Sequence, residues 1–243
     1  MKINGKRIII TGGTSGIGYQ IVKQLHSQNE LIVISRNSAK LEALKNEFNS
    51  IVTYRADLTN LKEVETTADL IIKKYESIDI LINNAASQHT PTFLDKDFNY
   101  ESISREVTLN FTSICCISYL LLPLLLHDSK SVILNINSGL GLVPKKSSAV
   151  YCGTKGALNI FSQALAYQLE DTNISVQQAF LALVDTPMTT GRGKNKQTAT
   201  QAASMIVRGL ELDVTENNIG KVKLLRALLR ITPALAKRIL KNN

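Results

Sequence analysis

The chain has 243 residues, 44% hydrophobic and 20% charged, with a net charge of +8. That length and balance suit one soluble α/β domain with a large core rather than two small ones. The charge is uneven: residues 221–243 hold seven Lys/Arg and no acid, so 8 − 7 leaves +1 for residues 1–220, and a near-neutral body gives no reason to expect a nucleic-acid partner.

Residues 7–11, RIIIT, form a short β-branched run that predicts a first buried strand. The glycine-rich turn TGGTSGIG (11–18) follows, then a helical pattern from Ile17 to about Ser27. LIVIS (31–35) predicts a second strand, SAKLEALKNEF (38–48) a helix with a serine start signal, and IVTYRAD (51–57) a third strand. NLKEVETTADLIIKKY (60–75) is an amphipathic helix, and IDILINNA (78–85) a fourth strand. Two long helices are expected at about 100–126 and 151–170, with strand SVILNIN (131–137) between them and strand ISVQQAFLAL (174–183) after. Alternating strands and helices imply a Rossmann-type, doubly wound parallel sheet flanked by helices, a single α/β domain over 1–220. Residues 221–243 read as a basic amphipathic extension, not a separate domain. GRGKNKQT (191–198) is the most polar, glycine-rich loop and the expected mobile segment.

The most apolar stretch, ICCISYLLLPLLL (114–126), has 13 residues and contains Pro123. It falls short of the ~20 needed to span a bilayer and predicts a buried helix. No secretory signal is expected at the start. The three cysteines, Cys115, Cys116 and Cys152, have neither the pairing nor the spacing of a disulfide framework or zinc site. Cytoplasmic residence is the expectation. His26, His89 and His127 are scattered, so no metal is expected.

The glycine turn lies between the first strand and first helix, the context in which such a string binds a pyrophosphate. Its spacing is T-G-x-x-x-G-x-G rather than G-x-G-x-x-G. The second strand ends Ser35-Arg36 with no acid; a guanidinium there suits a ribose 2′-phosphate, where a carboxylate would suit a free 2′-hydroxyl. NADP(H) is the preferred cofactor on this reading, with NAD(H) the alternative. Asp57 is placed to bond the adenine amino group or to cap the following helix.

TGGTSGIG (11–18), Asn83-Asn84-Ala85-Ala86, Asn110, Ser138 and Tyr151-x-x-x-Lys155 occur in the order and spacing of the classical short-chain dehydrogenase/reductase family, which the chain resembles over roughly residues 5–190. The resemblance implies a catalytic tetrad of Asn110, Ser138, Tyr151 and Lys155 and assembly as a homodimer or homotetramer, usually through the two long helices. The expected cofactor contacts are Gly12, Thr14, Ser15, Gly16, Ile17, Gly18, Ser35, Arg36, Asp57, Leu58, Asn84, Ala85, Tyr151, Lys155, Val184 and Thr186. Two departures stand out: Ala86 where the family usually has glycine, and Leu181-Ala182 where it has Pro-Gly.

At i and i+4 on a helix, Tyr151 and Lys155 share a face, and an ammonium beside a phenol favours the phenolate. The expectation is an oxidoreductase interconverting a carbonyl and an alcohol by hydride transfer. Tyr151 is its general acid/base, Ser138 holds the substrate oxygen, Lys155 lowers the phenol pKa, and Asn110 orients a water that returns the proton through Lys155. Cys152 reads as a packing residue. The alternatives are a cofactor-binding regulator without turnover and a peripheral membrane scaffold.

Substrate choice is expected from the loops at about 87–98, 139–149 and 188–200. Lys145, Lys146, Arg192, Lys194 and Lys196 fall in them, either favouring an anionic substrate or simply solvated. The tail KVKLLRALLRITPALAKRILKNN puts leucines among cations, broken by Pro233. It suits an anionic membrane surface, and a hydrophobic or lipid-like substrate, or else packing on the body or another subunit.

Overall fold

A computed structural model describes residues 2–241 of the chain. Seven parallel strands form one sheet in the order β3-β2-β1-β4-β5-β6-β9. They are β1 (Arg7–Thr11), β2 (Glu30–Ser35), β3 (Val52–Arg55), β4 (Ile80–Asn83), β5 (Ser131–Ser138), β6 (Ile174–Leu181) and β9 (Glu216–Asn218). Helices α1 (Gly16–Leu25), α2 (Ser38–Glu47) and α8 (Ala199–Glu211) serve one face of the sheet; α3 (Leu61–Lys74), α5 (Ser113–Leu120) and α7 (Ala149–Gln168) serve the other.

The strand period of two explains how one apolar run feeds both layers. Ile8 and Ile10 pack with Ile21, Val22, Ala202 and Ile206, while Ile9 packs with Val64, Ala68, Ile71 and Leu165. All three isoleucines are fully buried. The helix starts are set locally: Asn37 accepts from the Lys40 N–H to cap α2, and Asn60 accepts from Lys62 to cap α3. Thr198 and Gln201 form a reciprocal capping box on α8.

The expected helix over 100–126 is broken into α4 (Glu101–Val107), a π-helical turn (Thr108–Thr112), α5 and α6 (Leu122–Leu125). The π turn inserts an extra residue per turn, and Pro123 cannot donate a helical hydrogen bond, so the rod is offset twice. Strand β9 had no forewarning: Glu-Asn-Asn carries no apolar run, yet it pairs with Gln178–Phe180 at the sheet edge. Past Leu181-Ala182 the chain forms a two-residue strand, β7 (Val184–Asp185), paired with β8 (Gln197–Thr198).

The tail folds as α9 (Val222–Ile231) and α10 (Pro233–Lys241), with Pro233 at a helix start, where its missing N–H is no loss. Both helices touch the body. Val222 and Ala236 are buried. Arg226 pairs with Glu216 at 2.9 Å, donates to Asn218 at 3.0 Å and lies 4.6 Å from the Phe180 ring centre. The Lys241 carbonyl accepts from the Lys146 N–H at 2.9 Å.

Candidate active site

Strand order reverses between β1 and β4, which leaves a crevice beyond the carboxyl ends of the strands. A cavity of about 910 Å³ occupies that place. It runs from Arg36 and Asp57 past the glycine turn to Ser138, Tyr151 and Lys155. Gly12, Thr14, Ser15, Gly16, Ile17, Ser35, Leu58, Asn84, Ala85, Val184 and Thr186 also line it. Of the residues expected from sequence, Gly18 and Asn110 alone stand behind the wall.

The glycine turn is held from below. Gly12 has φ +70°, a left-handed conformation that suits glycine, and its N–H donates to the Ile34 carbonyl at 2.8 Å. The Thr11 hydroxyl accepts from the N–H groups of Asn84 (3.0 Å) and Ala85 (3.1 Å). The Asn84 amide donates back to the Thr11 and Gly12 carbonyls at 3.0 and 3.1 Å. Asn84 thus ties β4 to the turn, and Thr11 is a partner the sequence reading passed over. At the start of α1, Ser15 makes no side-chain cap, so the first-turn N–H groups face the cavity without that partner. A pyrophosphate fits this cradle by charge and by the space the glycines leave.

At the far end, Arg36 is exposed on the cavity rim, and the Ser35 hydroxyl lies 3.1 Å from that of Thr14. Asp57 is not the cap of α3; Asn60 is. One Asp57 oxygen accepts from the Thr59 N–H at 3.0 Å and its hydroxyl at 2.8 Å. Burial opposes the charged carboxylate, but the Thr59 hydrogen bonds and the charges of Arg36 and Arg105 outweigh it and hold the pKa below the usual value.

At the other end, Tyr151 is 9% exposed and Lys155 3%. Burial pushes the phenol up to about 12, against a hydrogen bond from Ser138 and the positive charge of Arg192. Burial lowers the Lys155 ammonium to about 8. The expected lowering of the phenol by Lys155 is not found here: the amine donates to the Ile136 carbonyl at 2.8 Å and sits 5.8 Å from the Tyr151 ring centre. Desolvation is the largest influence on the phenol, and Lys155 is not among the charges that move it. Ser138 accepts from the Leu140 N–H at 3.1 Å, which leaves its own proton to donate. Asn110, in the π turn, accepts from the Ser87 N–H at 2.9 Å and donates to the Ser87 carbonyl at 2.8 Å and Thr154 at 3.3 Å. It pins the loop after β4 to α7; its side-chain partners are protein groups.

Two contributions, from Glu106 and from the tail, escaped the sequence reading, whereas Lys145 and Arg192 were named there as loop cations that could favour an anionic substrate. Glu106 is 1% exposed, and burial raises its carboxyl to about 7 despite a hydrogen bond from the His89 N–H. Lys221, Val222, Leu225 and Leu240 bring the tail into the cavity wall. Gly139 allows this, since a β-carbon there would meet Leu225 at 3.3 Å and Val222 at 3.4 Å. Lys145 and Arg192 meet on the Tyr151 side.

A crevice of about 910 Å³ with a glycine turn at one end and Ser138 beside the buried Tyr151 and Lys155 at the other suits a nucleotide-dependent oxidoreductase. Residues 6–197 match the short chain dehydrogenase family model. The chain belongs to that family, and so to the NAD(P)-dependent oxidoreductases of CH–OH and carbonyl groups. It is 33% identical over 187 residues to the uncharacterized oxidoreductase DltE of Bacillus subtilis, covering 76% of this chain and 74% of that one. It is 30% identical over 196 residues to an NADP-dependent 3-hydroxy acid dehydrogenase of Schizosaccharomyces pombe, again 76% and 74%. A short-chain dehydrogenase of Burkholderia cenocepacia solved with NADP superposes with a TM-score of 0.88 at 22% identity, covering 99% of this chain and all (100%) of that one.

Proposed function

We propose that this protein reduces a ketone to a secondary alcohol with NADPH, and that Tyr151 is the proton donor. The observation that carries the reading is the single cavity joining Arg36 to Tyr151. NADPH, when bound, supplies the hydride. The glycine turn and the start of α1 hold the pyrophosphate, and the second oxygen of Asp57 takes the adenine amino group. Burial keeps the phenol protonated, the form a donor needs, and the Ser138 hydroxyl donates to the same substrate oxygen. Lys155, fixed by Ile136 under the Tyr151 ring, fixes the ring's position and holds the nicotinamide ribose. Asn110 keeps the loop over α7 closed on the site. The reverse reaction needs the phenolate, so the free protein is set for reduction. The name of the fission-yeast relative makes a hydroxy acid one form the alcohol can take.

NADPH preference over NADH rests on Arg36, with Lys40 on the same rim and no carboxylate ending β2. Arg36→Ala is expected to weaken NADPH about 10–100-fold, the loss of a charge-assisted hydrogen bond, and to leave NADH nearly unchanged. Fluorescence titration with both nucleotides checks this; equal losses for the two would remove the assignment.

Peripheral membrane contact through α9 and α10 is favoured by Leu224, Ile231, Leu235 and Ile239, all exposed among the tail cations. Flotation on anionic vesicles should fall sharply for Leu224→Glu/Ile231→Glu, and unchanged flotation would rule that contact out.

A further inference from the structure

Lys145 and Arg192 reach the cavity from separate loops, one after β5 and one after β7. Each is half-buried. Arg192 is held as a fork: one arm donates to the Gln88 side chain at 2.8 Å, the other to the Met188 carbonyl. Gln88 is itself fixed by donating to Ser148 at 3.1 Å. Neither cation forms an ion pair among the described residues, whereas Lys196, in the same loop, is matched by Asp185 at 2.6 Å. Burial lowers the pKa of both, and the charge of Arg192 lowers Lys145 further. Glu106 is the acid on the other side of Tyr151, and burial already disfavours its charged form. Cys152, on which the charges of both Lys145 and Glu106 act, is a thiol raised by burial.

Two like charges lining one cavity, with no ion pair among the described residues and with Glu106 disfavoured in its charged form by burial, are an incomplete arrangement. An anion from solution completes it. The wall between them and the tail is apolar, built from Leu140, Leu183, Val222, Leu225 and Leu240. Each Arg192 arm keeps a second N–H beside the one given to Gln88 or Met188, and such charged donors suit a carboxylate.

We propose that the substrate is an aliphatic oxo-carboxylate, its carboxylate held by Arg192 and Lys145 while its carbonyl meets Ser138 and Tyr151. This deepens the reading of the site as a ketone reductase and rests on it. Arg192 and Lys145 are specificity-determining residues.

The test compares kcat/KM for acetoacetate and its uncharged methyl ester, with NADPH, in the wild type, Arg192→Gln and Lys145→Gln. The wild type should favour the acid by at least about tenfold, and Arg192→Gln should cut the acid-to-ester ratio about 10–100-fold, as expected for a charged hydrogen bond. Lys145→Gln should cut it less. A wild type that prefers the ester, or variants that lose both substrates equally, would overturn the proposal. Preference for a 2-oxoalkyl phosphate over the acid would reassign the pair to phosphate and overturn it too. Neutral ketones reduced by the wild type while acid and ester are both refused would sink this proposal and leave the reductase standing. No turnover of any carbonyl would sink both.

Discussion

Gly18→Val is expected to weaken NADPH binding on the order of 100-fold, the scale of one or two lost hydrogen bonds to a charged group. A β-carbon at Gly18 would lie 2.3 Å from the Gly12 carbonyl oxygen and 2.5 Å from the Asn84 amide nitrogen. Neither neighbour can yield cheaply. Gly12 is bonded to β2 through Ile34, and Asn84 carries two hydrogen bonds to the turn. Relief must shift the turn off α1, which dismantles the cradle of N–H groups. Overpacking of this kind costs about 1–3 kcal/mol, a fall in Tm of roughly 2–12 °C for a chain this size. Gly153→Ala is the control, since a β-carbon there meets nothing within 4 Å. Nucleotide titration and thermal melts decide it; a Gly18→Val protein with wild-type affinity would show that the turn is not the phosphate site.

The sheet and the glycine turn between β1 and α1 were legible because their signals are local. RIIIT gives both faces of β1 their isoleucines, and the turn's glycines sit between a strand and a helix whatever the rest of the chain does. The site was legible as a set of residues but not as an electrostatic state. Spacing put Tyr151 and Lys155 on one face, and it could not show that the amine gives one of its three N–H donors to the Ile136 carbonyl or that burial is the largest influence on the phenol. The strand Glu216–Asn218 lacked any apolar mark because its placement is dictated by the edge of β6. The kink at Thr108–Thr112 lay hidden in a helical pattern that a π turn interrupts without changing composition. For Lys145 and Arg192 the sequence left two readings, solvated loop cations or a preference for an anionic substrate, since their lining of one cavity depends on two separate loops. The tail's apolar residues read either as a membrane face or as packing on the body or another subunit; Val222 and Leu225 line the cavity, while Leu224 and Ile231 stay outside.

In the proposed mechanism a buried phenol hands its proton to a carbonyl beside a bound nucleotide. Tyr151→Phe removes one oxygen from a residue that α7 and the Lys155 contact hold in place. The ring remains, so packing is kept and the hydrogen bond with Ser138 is lost. A positioned proton donor contributes about 10²–10⁴-fold, and the variant's kcat for ketone reduction should fall by that factor. NADPH affinity should stay within about twofold, because the phosphate turn and Arg36 lie at the other end of the cavity. Burial raises the phenol above its ordinary value and favours its donor form, so alcohol oxidation should rise with pH while reduction does not need the rise. The most direct measurement is a stopped-flow single turnover: both proteins, preloaded with stoichiometric NADPH, are mixed with a panel of ketones and the nucleotide absorbance is followed. Rapid NADPH oxidation in the wild type, slowed by two to four orders of magnitude in Tyr151→Phe at equal nucleotide occupancy, is the predicted result; equal rates in the two proteins would contradict it.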